Sequence, residues 1–245
     1  MSLDDATLTE TGLSLRSADP GRVLLIACGA LAREILAIRD LNGWGHVDLA
    51  CLPAKLHNDP DKIPEAVRAR VRQARAEGVQ TVFVVYADCG TGGLLDKVCE
   101  EEGVERIAGP HCYSFFEGNV AFAAHADEIT AFYLTDFLAR QFDTLIWKGF
   151  GLDRHPDMPA MIFAHYEKVV YLAQTQNAEL DRAAERAAQA DAAAARDGAI
   201  AAGFAFIAAL AALVLMFKLL RSVSFTPYVI YRIGLGVVLL GIAYS

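Results

Sequence analysis

Positive charge is scarce in this chain: 22 Lys and Arg stand against 30 Asp and Glu, a net charge of −8 over 245 residues. No basic cluster offsets that balance, which argues against nucleic acid as a partner. Close-spaced cysteines are missing too: no C-x-x-C pair occurs, so a zinc-finger type of site is not indicated. Neither G-x-x-x-x-G-K-S/T nor G-x-G-x-x-G is present, which removes the Walker phosphate loop and the standard dinucleotide site. Residues 1–18 are largely polar, without the apolar core of a secretory signal, and no internal repeat is visible.

The five cysteines are odd in number, and without a secretory signal they are expected as free thiols in the reducing cytoplasm. Metal binding or catalysis is then a fairer expectation for them than a disulfide framework. Each taken alone also suits a small buried apolar residue.

Four short apolar runs predict strands: 23–28, 47–52, 79–86 and about 104–108. Continuous apolarity of this length suits strands covered on both faces. Between them, 30–38, 64–76 and 94–102 have helical spacing, with Gly78 and Gly103 placed as C-caps. Residues 127–147 and 159–173 also predict helices. In the first of these, Asp136 and Arg140 are spaced to pair with each other. Arg68, Arg70, Arg72 and Arg75 read as a solvated helix face, since Glu65 and Glu77 flank them. Alternating strand and helix predicts an α/β fold, a doubly wound and mainly parallel sheet of four strands or slightly more. The expected divisions are a polar segment at 1–20, the α/β domain at 21–180, and an Ala-rich, charged and exposed helical spacer at 181–198. A C-terminal transmembrane helical hairpin at 199–245 completes the chain.

Chemistry-bearing residues sit where the strands stop. Cys28 ends the first strand, and Cys51 the second, with His57 shortly after. Cys89 follows the third, and the adjacent His111 and Cys112 follow the fourth. In a parallel sheet these ends share one edge, and open α/β sheets bind ligands there. Soft ligands so gathered suit a metal, a metal-bearing cofactor or thiolate chemistry. Cys28, Cys89, His111 and Cys112 are the expected ligands or thiolates, with His57 next, and Cys99, within a predicted helix, is expected only to pack. Gly90, Thr91, Gly92 and Gly93 follow Cys89 and open a helix, so their amides are expected to hold an anionic group of a cofactor. A tight turn around a buried cysteine is the plainer alternative for that loop.

Ala199–Phe217 is uninterrupted apolar sequence, close to the roughly 20 residues that cross a bilayer. Lys218 and Arg221 make a short basic turn, and Phe225–Ser245 is apolar but for Arg232. The stretch Ser-Phe-Thr-Pro-Tyr-Val-Ile-Tyr-Arg-Ile-Gly-Leu-Gly at 224–236 resembles the final helix of bacterial undecaprenyl-diphosphate phosphatases. The span before it resembles their penultimate helix. The resemblance implies a membrane segment, and the acidic and glycine/serine/arginine motifs of that family's earlier helices do not occur. An anchor in the inner membrane, with the soluble domain facing the cytoplasm, is the expectation.

A second resemblance covers about 20–180. It rests on Ala-Cys-Gly-Ala at 27–30, Cys-Leu-Pro-Ala and Leu-His-Asn within 51–58, and Tyr-Ala-Asp-Cys-Gly-Thr-Gly-Gly at 86–93. Gly-Pro-His-Cys-Tyr at 109–113 and Gly-Leu-Asp-Arg-His-Pro at 151–156 complete it. These motifs resemble a bacterial and archaeal domain family of unknown function whose members sit beside corrinoid-dependent methyltransferases. The resemblance implies handling of a corrinoid, a metal or a one-carbon unit, with corrinoid methyltransferase components as partners. The metal expected is zinc, iron or corrinoid cobalt. The alternatives are a fusion or fragment related to undecaprenyl-diphosphate phosphatase, and a non-catalytic sensor or assembly protein with structural cysteines.

Overall fold

In the computed structural model the four apolar runs are strands lying side by side. Residues 3–17, 21–125, 130–155, 158–163 and 165–189 are described, together with 207, 208 and 210. The chain divides into two units, 1–195 and 196–245. The expected hairpin at 199–245 lies outside the described residues apart from 207, 208 and 210. Among the described residues no helix is long and apolar enough to cross a membrane.

The first unit opens with helix α1 (Asp5–Glu10) and strand β1 (Leu13–Leu15), then β2 (Val23–Cys28), α2 (Ala32–Leu41) and β3 (Val47–Leu52). Helix α3 (Ile63–Ala76), β4 (Thr81–Val85), α4 (Leu94–Glu102) and β5 (Glu105–Arg106) follow. The five strands form one sheet in the order β1-β3-β2-β4-β5. All neighbours are parallel except β1, which runs antiparallel to β3 with Leu13 opposite Cys51. The fold is therefore α/β with a mostly parallel sheet, as expected, and a fifth, antiparallel edge strand is added. Three residues give no periodicity to recognise, so β1 exists because β3 offers it an edge.

Burial explains the central strands. Val47 to Cys51 of β3 are all buried, and Leu24, Ile26, Ala27 and Cys28 of β2 likewise. Asp48 is the polar exception in β3. Its carboxylate meets Arg22 Nη1 at 3.3 Å and accepts the backbone N–H of Ser17. That pairing is what makes a carboxylate tolerable at a buried position.

Helix α3 buries Ile63, Val67, Val71 and Ala74 at three- and four-residue steps. It packs on α4, β2 and β4. Its arginines are not simply a solvated face. Arg68 reaches Glu65, Glu101 and Glu102 at 2.8–3.1 Å, and Arg72 reaches Glu102 at 2.8 Å. They stitch α3 to α4.

Beyond β5 come α5 (Ser114–Glu117), α6 (Asn119–Ala124), strand β6 (Ala131–Thr135), α7 (Asp136–Arg140), a π-helical stretch at Phe142–Trp147, α8 (Met158–Phe163) and β7 (Lys168–Leu172). Here two expectations are corrected. The segment 127–147 was predicted as one helix, and it holds a strand and then a short helix; 159–173 likewise divides into α8 and β7. β6 and β7 pair in parallel, Ala131 opposite Lys168 and Thr135 opposite Leu172. Aromatic and β-branched residues such as Phe132, Tyr133, Val169 and Val170 suit that pairing. Asp136 and Arg140 do not pair with each other. Asp136 accepts Tyr171 Oη at 2.7 Å and Thr175 Oγ1 at 2.6 Å, while Arg140 Nε meets Asp5 at 2.6 Å. Residues 178–189 are helical, with Ala184 and Ala187 buried on one face and Asp181, Arg182, Glu185 and Arg186 exposed.

Candidate functional site

After β2 the chain moves to one side of the sheet through α2 and β3, then returns past β2 to lay down β4. The strand order reverses between β2 and β4, and their carboxyl ends flank the crevice where such sheets bind ligands. A cavity of about 60 Å³ lies there. Cys28, His57, Cys89, His111 and Cys112 all line it, together with Tyr86 and Tyr113. The structure thus brings the expected thiols and imidazoles around one space. Cys51 and Cys99 do not line it and are buried in the core.

Within that wall one pair is in contact. Cys89 Sγ lies 3.0 Å from Cys112 Sγ, and both are free thiols. Two features hold them there. The β4–β5 ladder continues past its strands, with Asp88 N–H bonded to Gly109 O and Cys89 N–H to Pro110 O, each at 2.9 Å. Cys89 then turns with φ of 49°, the left-handed region that non-glycine residues rarely enter. On the other side, Ser114 Oγ donates to Asn119 Oδ1 at 2.6 Å, and Asn119 Nδ2 donates to Ala108 O at 2.7 Å. Gly109, with φ of 147°, packs against this brace, where a Cβ would collide with Asn119 Oδ1.

The two thiols differ. The hydrogen bond from Cys112 lowers the pKa of Cys89 below that of an ordinary thiol, against the opposing effect of burial. The same bond, with burial, pushes Cys112 well up. Of the pair, Cys89 is therefore the sulfur that loses its proton more readily and Cys112 the one that keeps it. Cys28 is raised to about 11 by burial and stays a thiol.

The glycine loop has its own anion. Asp88 accepts from Gly93 N–H at 2.8 Å, Gly92 N–H at 3.2 Å and Thr91 Oγ1 at 2.9 Å. Burial raises the Asp88 pKa, but these bonds outweigh it and bring it below the usual carboxylate value. Of the expected set Gly90, Thr91, Gly92 and Gly93, the Gly92 and Gly93 amides and the Thr91 hydroxyl therefore already serve a carboxylate of the chain.

Three tyrosines complete the surroundings. The Tyr86 hydroxyl is buried, has no hydrogen-bond partner and lies beside Cys28. Tyr113 Oη is 3.5 Å from His57 Nε2, and its ring stacks on Tyr133 at 5.5 Å. Desolvation, with His111 nearby, lowers the His57 pKa. A larger cleft of about 700 Å³ adjoins the cavity, and His57, Cys89, His111 and Tyr113 line both. Cys112 and Cys28 line only the inner space. Tyr86 and Tyr113 begin and end the two cysteine motifs, which is the signal that could have marked them. Ser114 and Asn119 carry none.

Among the described residues no group of three or more His, Cys, Asp and Glu side chains is arranged to hold a metal ion. The fold and cavity define an α/β domain with a thiol-lined crevice at its switch point. The chain belongs to the DUF1638 family, a protein of unknown function, whose profile matches residues 51–194. A segment of 62 residues is 74% identical to an undecaprenyl-diphosphatase of Ruegeria pomeroyi, covering 25% of this chain and 23% of that protein. The undecaprenyl-diphosphatases of a Jannaschia species and of Dinoroseobacter shibae are 73% and 69% identical over 62 and 61 residues, again 25% of this chain and 23% of theirs. The chain spans about a quarter of the length of the curated relatives it matches. No solved structure matches.

Proposed function

We propose that this DUF1638 domain binds a thiophilic metal ion, or the metal of a metal-bearing cofactor, through Cys89 and Cys112. The observation that carries this is the contact between the two thiols, 3.0 Å apart on the wall of a switch-point cavity. Thiolates select soft and borderline metals, so the donor set suits zinc, iron or a cofactor that brings cobalt with its other ligands. Burial, with His111 nearby, disfavours the charged form of His57, and a neutral imidazole there could ligate or accept a proton. The buried Tyr86 hydroxyl offers a further polar contact. His111 and Cys28 stand on the same wall.

A metal held there would supply a Lewis acid or an electron carrier. The chain's own residues do the rest. Cys112 donates to Cys89 and favours its thiolate, the Ser114–Asn119 brace holds the segment that carries Cys112, and apolar side chains such as Leu31, Ile63 and Leu138 line the cavity. The resemblance to proteins found beside corrinoid-dependent methyltransferases supports those components as partners and corrinoid cobalt as a candidate metal. For 199–245 we infer an anchor in the inner membrane with the domain on the cytoplasmic side. Its apolarity and its resemblance to the last two helices of undecaprenyl-diphosphate phosphatases support that role, and we assign it no hydrolysis.

The test is metal content of the full chain purified in mild detergent under reducing conditions and dialysed against zinc, iron or cobalt. Stoichiometric metal that is lost in Cys89→Ser and Cys112→Ser, with circular dichroism unchanged, supports the proposal. A folded chain that takes up none of the three overturns it. Thiols that are all inert toward alkylation would favour structural cysteines instead.

A further inference from the structure

We propose that Cys89 and Cys112 also form a reversible dithiol–disulfide couple that exchanges with small disulfides. This goes beyond metal binding and does not depend on it. The contact distance carries the inference. At 3.0 Å the two sulfurs need to approach by only about 1 Å to reach the bonding distance near 2.05 Å. Access separates their roles. Cys89 lines both the inner cavity and the 700 Å³ cleft, whereas Cys112 lines only the inner cavity. A molecule arriving through the cleft therefore meets Cys89 first, with Cys112 directly behind it. Cys51 and Cys99 are buried away from both spaces.

The exchange balances as follows. The Cys89 thiolate attacks one sulfur of a disulfide R–S–S–R, the S–S bond breaks, and one RS⁻ leaves. A mixed disulfide between Cys89 and RS remains. Cys112 gives up its proton to the departing RS⁻, and its thiolate attacks Cys89 Sγ. The second RS⁻ is expelled as the Cys89–Cys112 bond forms, and it takes a proton from water as the Cys89 proton has already gone there. Two electrons pass from the protein thiols to R–S–S–R, which becomes two RSH. The nucleophile is the sulfur that lines the cleft, and the resolving thiol the one that lines only the inner cavity. Apart from Cys89, the 700 Å³ cleft presents aromatic, aliphatic and histidine walls, room for a small organic disulfide.

The experiment uses the full chain in mild detergent, freed of metal by a chelator and equilibrated without oxygen in buffers of reduced and oxidised glutathione. Free thiols are then alkylated and counted by mass, and the digest is mapped. The expected result is joint loss of two of the five alkylatable thiols, with a Cys89–Cys112 cross-link. Cys112→Ser should stop at one glutathione on Cys89, and Cys89→Ser should show neither product. Cys89 and Cys112 both staying free in the most oxidising buffer would overturn the couple, as would a cross-link joining other cysteines. The wild-type digest decides this even where a variant folds poorly. A chain that forms the disulfide but takes up no metal keeps this couple and loses the metal site; the converse result does the reverse.

Discussion

Cys89 Sγ and Cys112 Sγ touch at 3.0 Å although 23 positions separate them in sequence, and the contact lowers the pKa of Cys89 and raises that of Cys112. The asymmetry follows from which sulfur keeps the shared proton. It yields a chemical signature that ordinary thiols lack.

Cys89 should therefore react with iodoacetamide at lower pH than a thiol of ordinary pKa 9.0. Its pKa is depressed, so the thiolate fraction at a given pH is higher. Removing the donor in Cys112→Ala should slow Cys89 alkylation at pH 7 several-fold and move its pH profile upward. An unchanged profile, followed by peptide mass mapping, would show that the contact does not stabilise the thiolate.

Cys28 should behave in the opposite way. Burial raises its pKa to about 11, so at pH 8 it stays protonated. Timed labelling of the native chain should modify Cys89 well before Cys28, and labelling in urea should abolish the difference. Equal native rates would contradict the burial of Cys28.

Asp88→Ala should cost about 1–2 kcal/mol, because three donors of the glycine loop lose their acceptor. The pH dependence has a definite sign. The folded pKa of Asp88 lies below its ordinary value of 3.8, so its contribution is present above that value and is lost as pH falls through the folded pKa. Urea melts of wild type and variant should differ by a constant amount from pH 5 to 8 and converge in stronger acid.

Asp136→Ala should be more damaging, about 3 kcal/mol. The carboxylate is buried and satisfies Tyr171, Thr175 and the Gln174 amide, tying α7 to the end of β7. Chemical denaturation reads this directly. A loss below 0.5 kcal/mol, roughly the scale of a surface substitution, would contradict the network.

Tyr86→Phe should raise the stability of the metal-free chain by about 1 kcal/mol, since it removes a buried hydroxyl that has no partner. If the hydroxyl serves the bound ligand, the same change should weaken metal retention. A stability loss in the metal-free chain would mean that the hydroxyl is satisfied inside the protein.

Much of the main sheet was legible because its strands are buried on both faces. A run such as Val-Leu-Leu-Ile-Ala-Cys at β2 admits few other structures once Gly21 and Gly29 bound it. Helix α4 matches its expected limits, Leu94 to Glu102, because glycines stand at both ends with φ of 83° and 61°. β6 and β7 were not legible. Phe132, Tyr133, Phe137, Leu138 and Phe142 keep helical spacing across a strand-to-helix junction, and periodicity cannot show a break between elements of different type. The strand identity of Ala131–Thr135 depends on Lys168–Leu172 arriving beside it.

The sequence by itself determined where chemistry would gather. Parallel strands must send their carboxyl ends to one edge, so Cys28, Cys89, His111 and Cys112 were bound to be neighbours once the strands were parallel. It also determined that Cys99 would pack in a helix. Only the tertiary structure decided which thiol meets which. That choice depends on the left-handed turn at Cys89, on the Ser114–Asn119 brace, and on a ladder that runs past its strands. Only the structure gave the glycine loop to Asp88. Backbone amides bind whichever acceptor the fold brings within hydrogen-bond reach, and here that acceptor is the chain's own carboxylate.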